Sequence, residues 1–169
     1  MKRGKKVSIY PKYYCNNITE ITTSFLKEND IKALILDVDN TLLDFDLNIV
    51  DGLEKWYEDI KACGIKAIIV SNSNKKHKIE KVADLLDIEY ISLAMKPMKK
   101  GLRKAQEILN ISPNNIAVIG DQIFTDVVGA NRCHMFSILV KPLAEKDIWI
   151  TKFKRPLERA VLKRYKKKI

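Results

Sequence analysis

The chain has 169 residues, of which 46% are hydrophobic and 31% are charged, and its formal net charge is +10. This length and balance predict one soluble globular domain and exclude a disordered or collagen-like chain. The apolar runs are too short to cross a bilayer, and no apolar segment typical of a secretion signal follows the basic residues 1–6. The three cysteines form no CxxC pair, so neither a zinc cluster nor a disulfide framework is predicted, and a reducing cytoplasm is the expected setting.

The positive charge lies at the two ends of the chain. Residues 1–6 carry a formal charge of +4 and residues 151–169 carry +8, which leaves −2 for residues 7–150. A mildly acidic body with basic ends favours a catalytic or binding domain with basic attachments over a nucleic-acid-binding core. We therefore predict a domain over residues 1–150, with a helical extension over 1–30, and a basic tail over 151–169.

Five short apolar segments alternate with helical patterns along the chain. After a helix over about Ile18–Glu28, the predicted strands are Ala33–Val38, Lys66–Ser71, Tyr90–Leu93, Ile116–Gly120 and Phe136–Val140. Further helices are predicted over about Val50–Cys63, Lys75–Leu86, Lys99–Leu109 and Thr125–Arg132. Strands that are apolar throughout are typical of parallel strands covered on both faces. The alternation predicts an α/β fold with a mostly parallel five-stranded sheet between two layers of helices.

Polar side chains follow four of these strands. They are Asp37, Asp39, Asn40 and Thr41, then Ser71 and Asn72, then Lys96, then Asp121 and Asp126. Because parallel strands end at one edge of a sheet, we expect these groups to converge. Clustered carboxylates repel one another unless a cation holds them, and oxygen ligands without His or Cys suit Mg²⁺. In-line attack on phosphorus also needs charge neutralisation and hydrogen-bond donors, and the set contains a candidate for each role.

These motifs resemble the four motifs of the haloacid dehalogenase-like (HAD) phosphatases. Asp37–Thr41 resembles motif I (DxDxT), Ser71 motif II, Lys96 motif III, and Gly120-Asp121 with Asp126 motif IV. Four motifs in the right order are far more specific than any one of them. The whole chain is similar to the YqeG-type proteins of subclass IIIA, which are related to the mitochondrial phosphatidylglycerophosphatase. The resemblance implies a HAD-like Rossmannoid three-layer sandwich.

The resemblance also implies a role for each residue of the set. Asp37 would be the nucleophile that forms an aspartyl-phosphate, and Asp39 would be the general acid and base. Lys96 would neutralise Asp37 and the phosphoryl group. The substrate-binding set would be Thr41, which bonds back within the loop and fixes Asp37, with Ser71, Asn72 and Lys96. The Mg²⁺ ligands would be Asp37, the backbone carbonyl of Asp39, Asp121, and Asp126 directly or through water.

Each motif alone also has an ordinary structural interpretation. Asp-Asn-Thr after a strand is a common turn, and the polar run that starts at Ser71 is typical of a helix cap. Lys96 is also consistent with a solvated lysine, and Gly120-Asp121 with a simple strand exit. Independent turn signals have no reason to supply complementary chemistry, so the complete set favours a phosphatase site.

Many HAD enzymes cover the site with an inserted cap domain, for which this chain has no room. The first insertion point, between Leu42 and about Val50, is a short loop, and the second, between Asn72 and Tyr90, holds one helix. Segments this short bury too little surface to form a separate domain. We therefore expect an open site that accepts a phosphate on a bulky or membrane-embedded carrier. Phe45 in the first loop either contacts substrate or packs beneath the loop.

The C-terminal residues predict a basic amphipathic helix that begins with Pro156 as its first residue. Its apolar positions recur every four residues, at Leu157, Val161 with Leu162, Tyr165 and Ile169. Flanked by Lys and Arg, this stripe suits an anionic lipid surface, with Trp149 and Phe153 as further interfacial anchors. The alternatives are a stripe that packs on the domain and a tail that binds nucleic acid irrespective of sequence.

Together these expectations describe a capless, Mg²⁺-dependent phosphomonoester hydrolase in the cytoplasm, peripheral at the inner face of a membrane. The preferred substrate, from the resemblance with the open site and basic tail, is phosphatidylglycerophosphate, which would become phosphatidylglycerol. The alternatives are a phosphatase of soluble sugar or nucleotide phosphates and a nucleic-acid- or ribosome-associated binding protein on a HAD fold. The sequence gives no indication of the oligomeric state.

Overall fold

A computed structural model of the chain describes residues 7–144 and 149–166. Within these ranges the sheet has six strands: β1 (Tyr13–Cys15), β2 (Ala33–Leu36), β3 (Lys66–Val70), β4 (Tyr90–Ile91), β5 (Ile116–Gly120) and β6 (Phe136–Val140). The strands lie in the order β1-β6-β5-β2-β3-β4, and every neighbouring pair is parallel. The predicted α/β fold with a parallel sheet is confirmed.

The helices lie between the strands, close to the predicted positions. They are α1 (Thr23–Glu28), α2 (Leu53–Ala62), α3 (Lys76–Leu86), α4 (Lys99–Leu109), α5 (Val128–Arg132) and α6 (Trp149–Lys166). Single 3₁₀ turns cover Ile18–Glu20 and Pro113–Asn115, and a π-helical turn over Ile123–Val127 leads directly into α5. The predicted helix over Thr125–Arg132 is therefore two different helical segments.

Two features near the N-terminus differ from the prediction of five strands and one early helix. Strand β1 pairs with β6 at the edge of the sheet, and three residues are too few to give a strand pattern in the sequence. The predicted helix over Ile18–Glu28 is interrupted, because the Thr22 side chain accepts a hydrogen bond from the Phe25 N–H at 3.1 Å and starts α1 there.

Helices cover both faces of the sheet and form two apolar layers. Alternate residues of β2 point to opposite faces, so Leu34 and Leu36 join the layer under α1, α2 and α3. Ala33 and Ile35 join the other layer, under α4 and α5. All four of these side chains are completely buried. The resulting three-layer sandwich holds the central strands rigidly, and with them the residues at their carboxyl ends.

The first insertion point is a compact loop with no room for a cap. Leu43 makes isolated bridges with Asp39 and with Ile49, and the Asp44 side chain accepts hydrogen bonds from the Asp46 and Asn48 N–H groups at 2.8 and 2.9 Å. The second insertion point, between Asn72 and Tyr90, holds α3 alone. The prediction of a capless domain is confirmed for the described residues.

Helix α6 begins at Trp149, so Pro156 lies inside it and the prediction of Pro156 as its first residue is wrong. Val161 and Leu162 pack against a buried cluster that includes Ile123 and Leu139. The Tyr165 ring stacks on the Tyr10 ring at a centroid distance of 6.4 Å.

Most of the predicted apolar stripe therefore packs on the domain, which is one of the two alternatives to lipid binding given above. Leu157 is exposed. Ile169 and the side chains of Trp149 and Phe153 lie outside the described residues. None of the helices in the described ranges combines the length and the apolar character that a membrane span requires.

Candidate active site

The predicted site residues converge at the carboxyl edge of the three central strands. Asp37, Ser71 and Asp121 are each the first residue after a strand, and these strands, β2, β3 and β5, are neighbours in the sheet. In the register of the sheet Leu36 lies opposite both Ile69 and Ile119, so Ser71 and Asp121 lie one residue further along their strands than Asp37 does. All three are buried.

Lys96 joins the carboxylates into one cluster. Its Nζ atom lies 2.8 Å from Asp37 Oδ1 and 2.7 Å from Asp126 Oδ1, and the lysine is buried. Asp37, Asp121 and Asp126 each offer a carboxylate oxygen, and these oxygens all lie within 4.8 Å of one another. The structure thus brings together one lysine and three carboxylates of the predicted set.

The Asn72 side chain fixes the backbone of Lys96. Its Oδ1 atom accepts a hydrogen bond from the Lys96 N–H at 2.6 Å, and its Nδ2 atom donates to the Lys96 carbonyl at 2.9 Å. The resemblance to the HAD motifs implies that Asn72 binds substrate. The structure shows a further role for its amide, which holds the lysine loop against the end of β3.

Asp126 reaches the cluster from the π-helical turn. Its Oδ2 atom accepts a hydrogen bond from the Gln122 N–H at 3.2 Å, while its Oδ1 atom faces Lys96. A Cβ atom built on Gly120 would overlap the Asp126 carboxyl group. The close approach of Asp126 to the end of β5 therefore requires glycine at position 120. The predicted helix over Thr125–Arg132 includes Asp126, and the wide π-helical turn explains why this side chain points into the site.

Backbone hydrogen bonds close the turn at the start of the first loop, from Val38 to Leu43. The Thr41, Leu42 and Leu43 N–H groups all donate to the Val38 carbonyl, at 3.2, 2.9 and 3.1 Å. The Thr41 hydroxyl is buried, and it makes no hydrogen bond within the part of the chain that the structure describes. Thr41 thus bonds back within the loop through its backbone N–H and not through its hydroxyl.

Asn40 ties the same loop to the segment after β6. Its side chain accepts a hydrogen bond from the Ala144 N–H at 2.9 Å and donates to the Ala144 carbonyl at 3.0 Å. Asn40 has a φ of +62°, a conformation that asparagine adopts more readily than most residues. Asn40 is therefore a positioning residue of the loop that carries Asp37 and Asp39.

Asp39 is the most exposed of the four predicted carboxylates, with 40% of its side chain open to solvent. Its partner is Lys78 on α3, whose Nζ atom lies 3.5 Å from Asp39 Oδ1 and whose side chain is 14% exposed. The sequence analysis missed Lys78. It stands beside Lys75 and Lys76, and in such a run each lysine resembles an ordinary solvated residue.

Burial dominates the ionisation of Asp37. It raises the pKa of this carboxyl group from 3.8 to about 7, against the lowering effect of Lys96, and the neighbouring Asp126 adds to the rise. Burial alone would lower the pKa of Lys96, but the Asp126 and Asp37 carboxylates outweigh it, so the pKa of Lys96 is raised and the lysine stays charged.

The cluster fits a divalent cation. Three buried carboxylates have oxygens within 4.8 Å of one another, and the donors are oxygen atoms only, as hard cations prefer. Four carboxylates (Asp37, Asp39, Asp121 and Asp126) face two ammonium groups (Lys78 and Lys96), which leaves a formal charge of −2. A bound cation would balance this charge and favour the ionised form of Asp37.

A cavity of about 320 Å³ opens beside Asp121, between β6 and α6. Apolar side chains line it together with two cationic ones, Lys141 and Arg159. Glu158, also in the wall, accepts a hydrogen bond from the Ile123 N–H at 3.0 Å and so attaches α6 to the π-helical turn. Helix α6, predicted as a tail, forms one wall of a cavity next to the site.

The sequence matches the family model described as mitochondrial PGP phosphatase over residues 4–143. The chain belongs to this family. It is 40% identical over 159 residues to "Probable phosphatase YqeG" of Bacillus subtilis (strain 168), across 94% of this chain and 92% of that protein.

The chain is also similar to more distant proteins. The chain is 28% identical over 170 residues to "Phosphatidylglycerophosphate phosphatase 1, chloroplastic/mitochondrial" of Arabidopsis thaliana, across 95% of this chain and 49% of that protein. Among solved structures, the cobalt-bound form of deoxy-D-mannose-octulosonate 8-phosphate phosphatase from Haemophilus influenzae has a TM-score of 0.52 and 18% identity, across 75% of this chain and 76% of that one. At such low identity the structural likeness concerns the fold alone.

The family match and the fold together confirm two predictions. This member of the PGP phosphatase family is a phosphatase, and its fold is HAD-like. An acidic cluster suited to a divalent cation occupies the expected edge of its sheet.

Proposed function

We propose that this phosphatase hydrolyses phosphatidylglycerophosphate to phosphatidylglycerol through an aspartyl-phosphate on Asp37, with Mg²⁺ as cofactor. The observation that carries the chemistry is the buried Asp37 carboxylate, 2.8 Å from the Lys96 ammonium group and next to two further carboxylates. A carboxylate so placed combines a nucleophile with a fixed positive charge where the phosphoryl group would lie.

The reaction has two steps. An Asp37 oxygen attacks phosphorus and forms a new P–O bond, while the bond from phosphorus to the ester oxygen breaks and that oxygen takes a proton from Asp39. A water molecule then loses its proton to Asp39 and attacks the same phosphorus, which releases inorganic phosphate and restores the Asp37 carboxylate. Asp39 suits both proton transfers because its carboxyl group is partly open to solvent.

The other residues of the set bind and orient. Ser71 Oγ accepts a hydrogen bond from the Ser73 N–H at 3.1 Å, so its own O–H is available to donate to a phosphoryl oxygen. The buried Thr41 hydroxyl is proposed for the same kind of contact. Asp37, Asp121, Asp126 and the Asp39 carbonyl would hold Mg²⁺, which when bound neutralises negative charge on the phosphoryl oxygens.

Three observations support a lipid substrate. The family model and the Arabidopsis relative carry the name of this phosphatase activity. Within residues 7–144 and 149–166, no cap covers the site that would exclude a bulky carrier. The cavity beside Asp121 offers Lys141 and Arg159 to the phosphodiester of the substrate, and apolar walls of Ile123, Leu139 and Leu162 to the carbon chain beyond it.

In this proposal the protein works in the cytoplasm, peripheral at the inner face of the membrane. The exposed Arg159, Lys163 and Arg164 side chains of α6 would be attracted by anionic headgroups. Nucleic acid is less favoured as a partner, since the body of the domain is acidic and the active site fits a phosphomonoester.

The deciding experiment compares substrates under one set of conditions. Phosphate release is measured from phosphatidylglycerophosphate in mixed micelles, from sugar and nucleotide phosphates, and from an aryl phosphate, each with Mg²⁺ and with a chelator. We expect the lipid phosphate to be hydrolysed fastest and all activity to require the cation. Faster hydrolysis of a soluble ester would replace the proposed substrate, and an active Asp37→Asn variant would remove the proposed nucleophile.

A further inference from the structure

Exposed apolar side chains are concentrated in the loop that carries Lys96. Eight large hydrophobic residues among those described are exposed, and three of them lie within six positions: Leu93 at 60%, Met95 at 53% and Met98 at 55%. Single exposed apolar residues are common on protein surfaces, whereas a cluster of them marks a contact with a partner. The chain gains no core packing from these three side chains.

The backbone beneath two of these residues is strained. Leu93 has a φ of +50° and Met95 a φ of +53°, in the left-handed region that side chains other than Asn and Gly rarely adopt. Leu and Met cannot compensate with a local side-chain hydrogen bond. Residues that are both strained and exposed are typical of functional surfaces, because nothing in folding explains their presence.

The loop presents these side chains in a fixed orientation. Its residues alternate, so Ala94 and Lys96 are buried while Leu93 and Met95 point outwards. A Cβ atom built on Gly101 would lie only 2.7 Å from the Ala94 Cβ atom, which shows how closely the loop packs on α4. The Leu93 N–H also donates to the Ser73 carbonyl at 3.3 Å, which joins the loop to the one after β3.

Positive charge surrounds the apolar side chains. Lys75 and Lys76 lie at the start of α3, and Lys99 and Lys100 lie at the start of α4, at the same edge of the sheet. No acidic residue occurs from Ser92 to Lys104 or from Asn72 to Ile79. Apolar side chains bordered by lysines are the composition that binds the interface of an anionic bilayer.

We propose that this surface docks the enzyme onto an anionic lipid bilayer, with Leu93, Met95 and Met98 inserted among the headgroups and the four lysines against their phosphates. This inference rests on the proposed lipid substrate. Docking by this surface would turn the edge of the sheet that carries Asp37 towards the membrane, where such a substrate lies. It assigns the apolar anchors to the Lys96 loop and not to α6, whose Val161, Leu162 and Tyr165 side chains already pack on the domain.

The test uses the double variant Leu93→Asn/Met95→Asn in the full chain. Asparagine tolerates the left-handed conformation better than Leu or Met, so this variant removes the apolar groups without adding backbone strain. The matched control is Ile108→Gln, which removes an exposed apolar side chain at the opposite end of α4, beside the amino ends of β3 and β4.

Binding is measured by co-sedimentation with vesicles of phosphatidylcholine alone and of equal parts phosphatidylcholine and phosphatidylglycerol. We expect wild type and Ile108→Gln to bind the anionic vesicles, and the double variant to bind them at least about tenfold more weakly. The rate on phosphatidylglycerophosphate in vesicles, relative to the rate on a soluble aryl phosphate, should fall by a similar factor.

Three results would overturn the docking surface. They are wild type that does not bind anionic vesicles, a double variant that binds like wild type, and a loss of binding only when Arg159, Lys163 and Arg164 are changed to Gln. These results are separate from the substrate assignment. Vesicle binding that depends on Leu93 and Met95 without hydrolysis of phosphatidylglycerophosphate would reject the substrate and keep the surface.

Discussion

The Nζ atom of Lys78 lies 3.5 Å from Oδ1 of Asp39, and this ion pair links α3 to the loop that follows β2. The lysine is mostly buried, whereas Asp39 is open to solvent. A partly buried pair holds a carboxylate in one orientation more firmly than an exposed pair does, because it is less screened. Lys78 therefore positions the proposed general acid and base of the reaction.

We expect Lys78→Gln to lower kcat by about tenfold while KM for an aryl phosphate changes little, because the loss concerns proton transfer and not substrate binding. Lys78→Arg should restore most of the rate. The matched control is Lys55→Gln, which breaks an exposed ion pair with Asp59 on α2. Equal rates for Lys78→Gln and this control would show that Lys78 has no part in positioning Asp39.

Asp37→Asn should abolish turnover and yet stabilise the chain in the presence of a chelator. Burial raises the pKa of Asp37 to about 7, so its ionisation costs stability in the folded state. This loss of folding stability is largest above pH 7. It decreases as the pH falls towards 3.8, the ordinary pKa of the group, and is absent below that value.

The free energy of unfolding of the variant should therefore exceed that of wild type by on the order of 1–3 kcal/mol at about pH 8. For a domain of this size, each kcal/mol raises Tm by roughly 2–4 °C. The gain should vanish at about pH 4. Thermal melts of both proteins across this range measure it. A gain that grows as the pH falls would contradict the proposed burial of charge.

Gly120→Ala should displace the Asp126 carboxyl group, because the added methyl group would occupy its place. We expect a loss of about 2 kcal/mol or more of folding stability and at least a hundredfold loss of activity. Gly129→Ala is the matched control. Its added Cβ would lie 3.1 Å from the flexible end of Leu102 and at ordinary contact distance, 3.5 Å, from the Pro97 Cα atom, and alanine favours the helix. Similar stabilities for the two variants would contradict the assigned geometry.

Glu158→Ala should loosen α6, because it leaves the buried Ile123 N–H without its carboxylate acceptor. The expected cost is about 1–3 kcal/mol, and hydrogen exchange should become faster in α6 and in the π-helical turn. Glu158→Gln keeps an oxygen acceptor and should exchange nearly as slowly as wild type. Unchanged exchange in Glu158→Ala would mean that other contacts suffice to attach α6.

The central part of the fold and the site could be predicted because each strand end carries two signals at once. The apolar run Ala33–Leu36 ends at Asp37, and Ile116–Gly120 ends at Asp121, so the sequence shows both a buried strand and the polar group that follows it. Parallel strands then bring such groups to one edge, whatever their distance along the chain.

The features that could not be predicted depend on contacts rather than on local patterns. Lys78 lies in the same run of lysines as Lys75 and is distinguished by its ion pair with Asp39, and the Asn72 amide meets Lys96 across 24 positions of the chain. Strand β1 is only three residues long. Proline is common at the first position of a helix, but Pro156 lies inside α6. Contacts between residues that are distant along the chain leave no local pattern in the sequence.

The order in which the chain is synthesised has a consequence for the site. Lys96 is 59 positions from Asp37 and 30 positions from Asp126, so its two partners leave the ribosome at widely separated times. A nascent chain that ends before β5 lacks one of the two strands that pair with β2, together with two of the three clustered carboxylates. The growing polypeptide therefore cannot assemble the cluster of three carboxylates until most of its length has emerged.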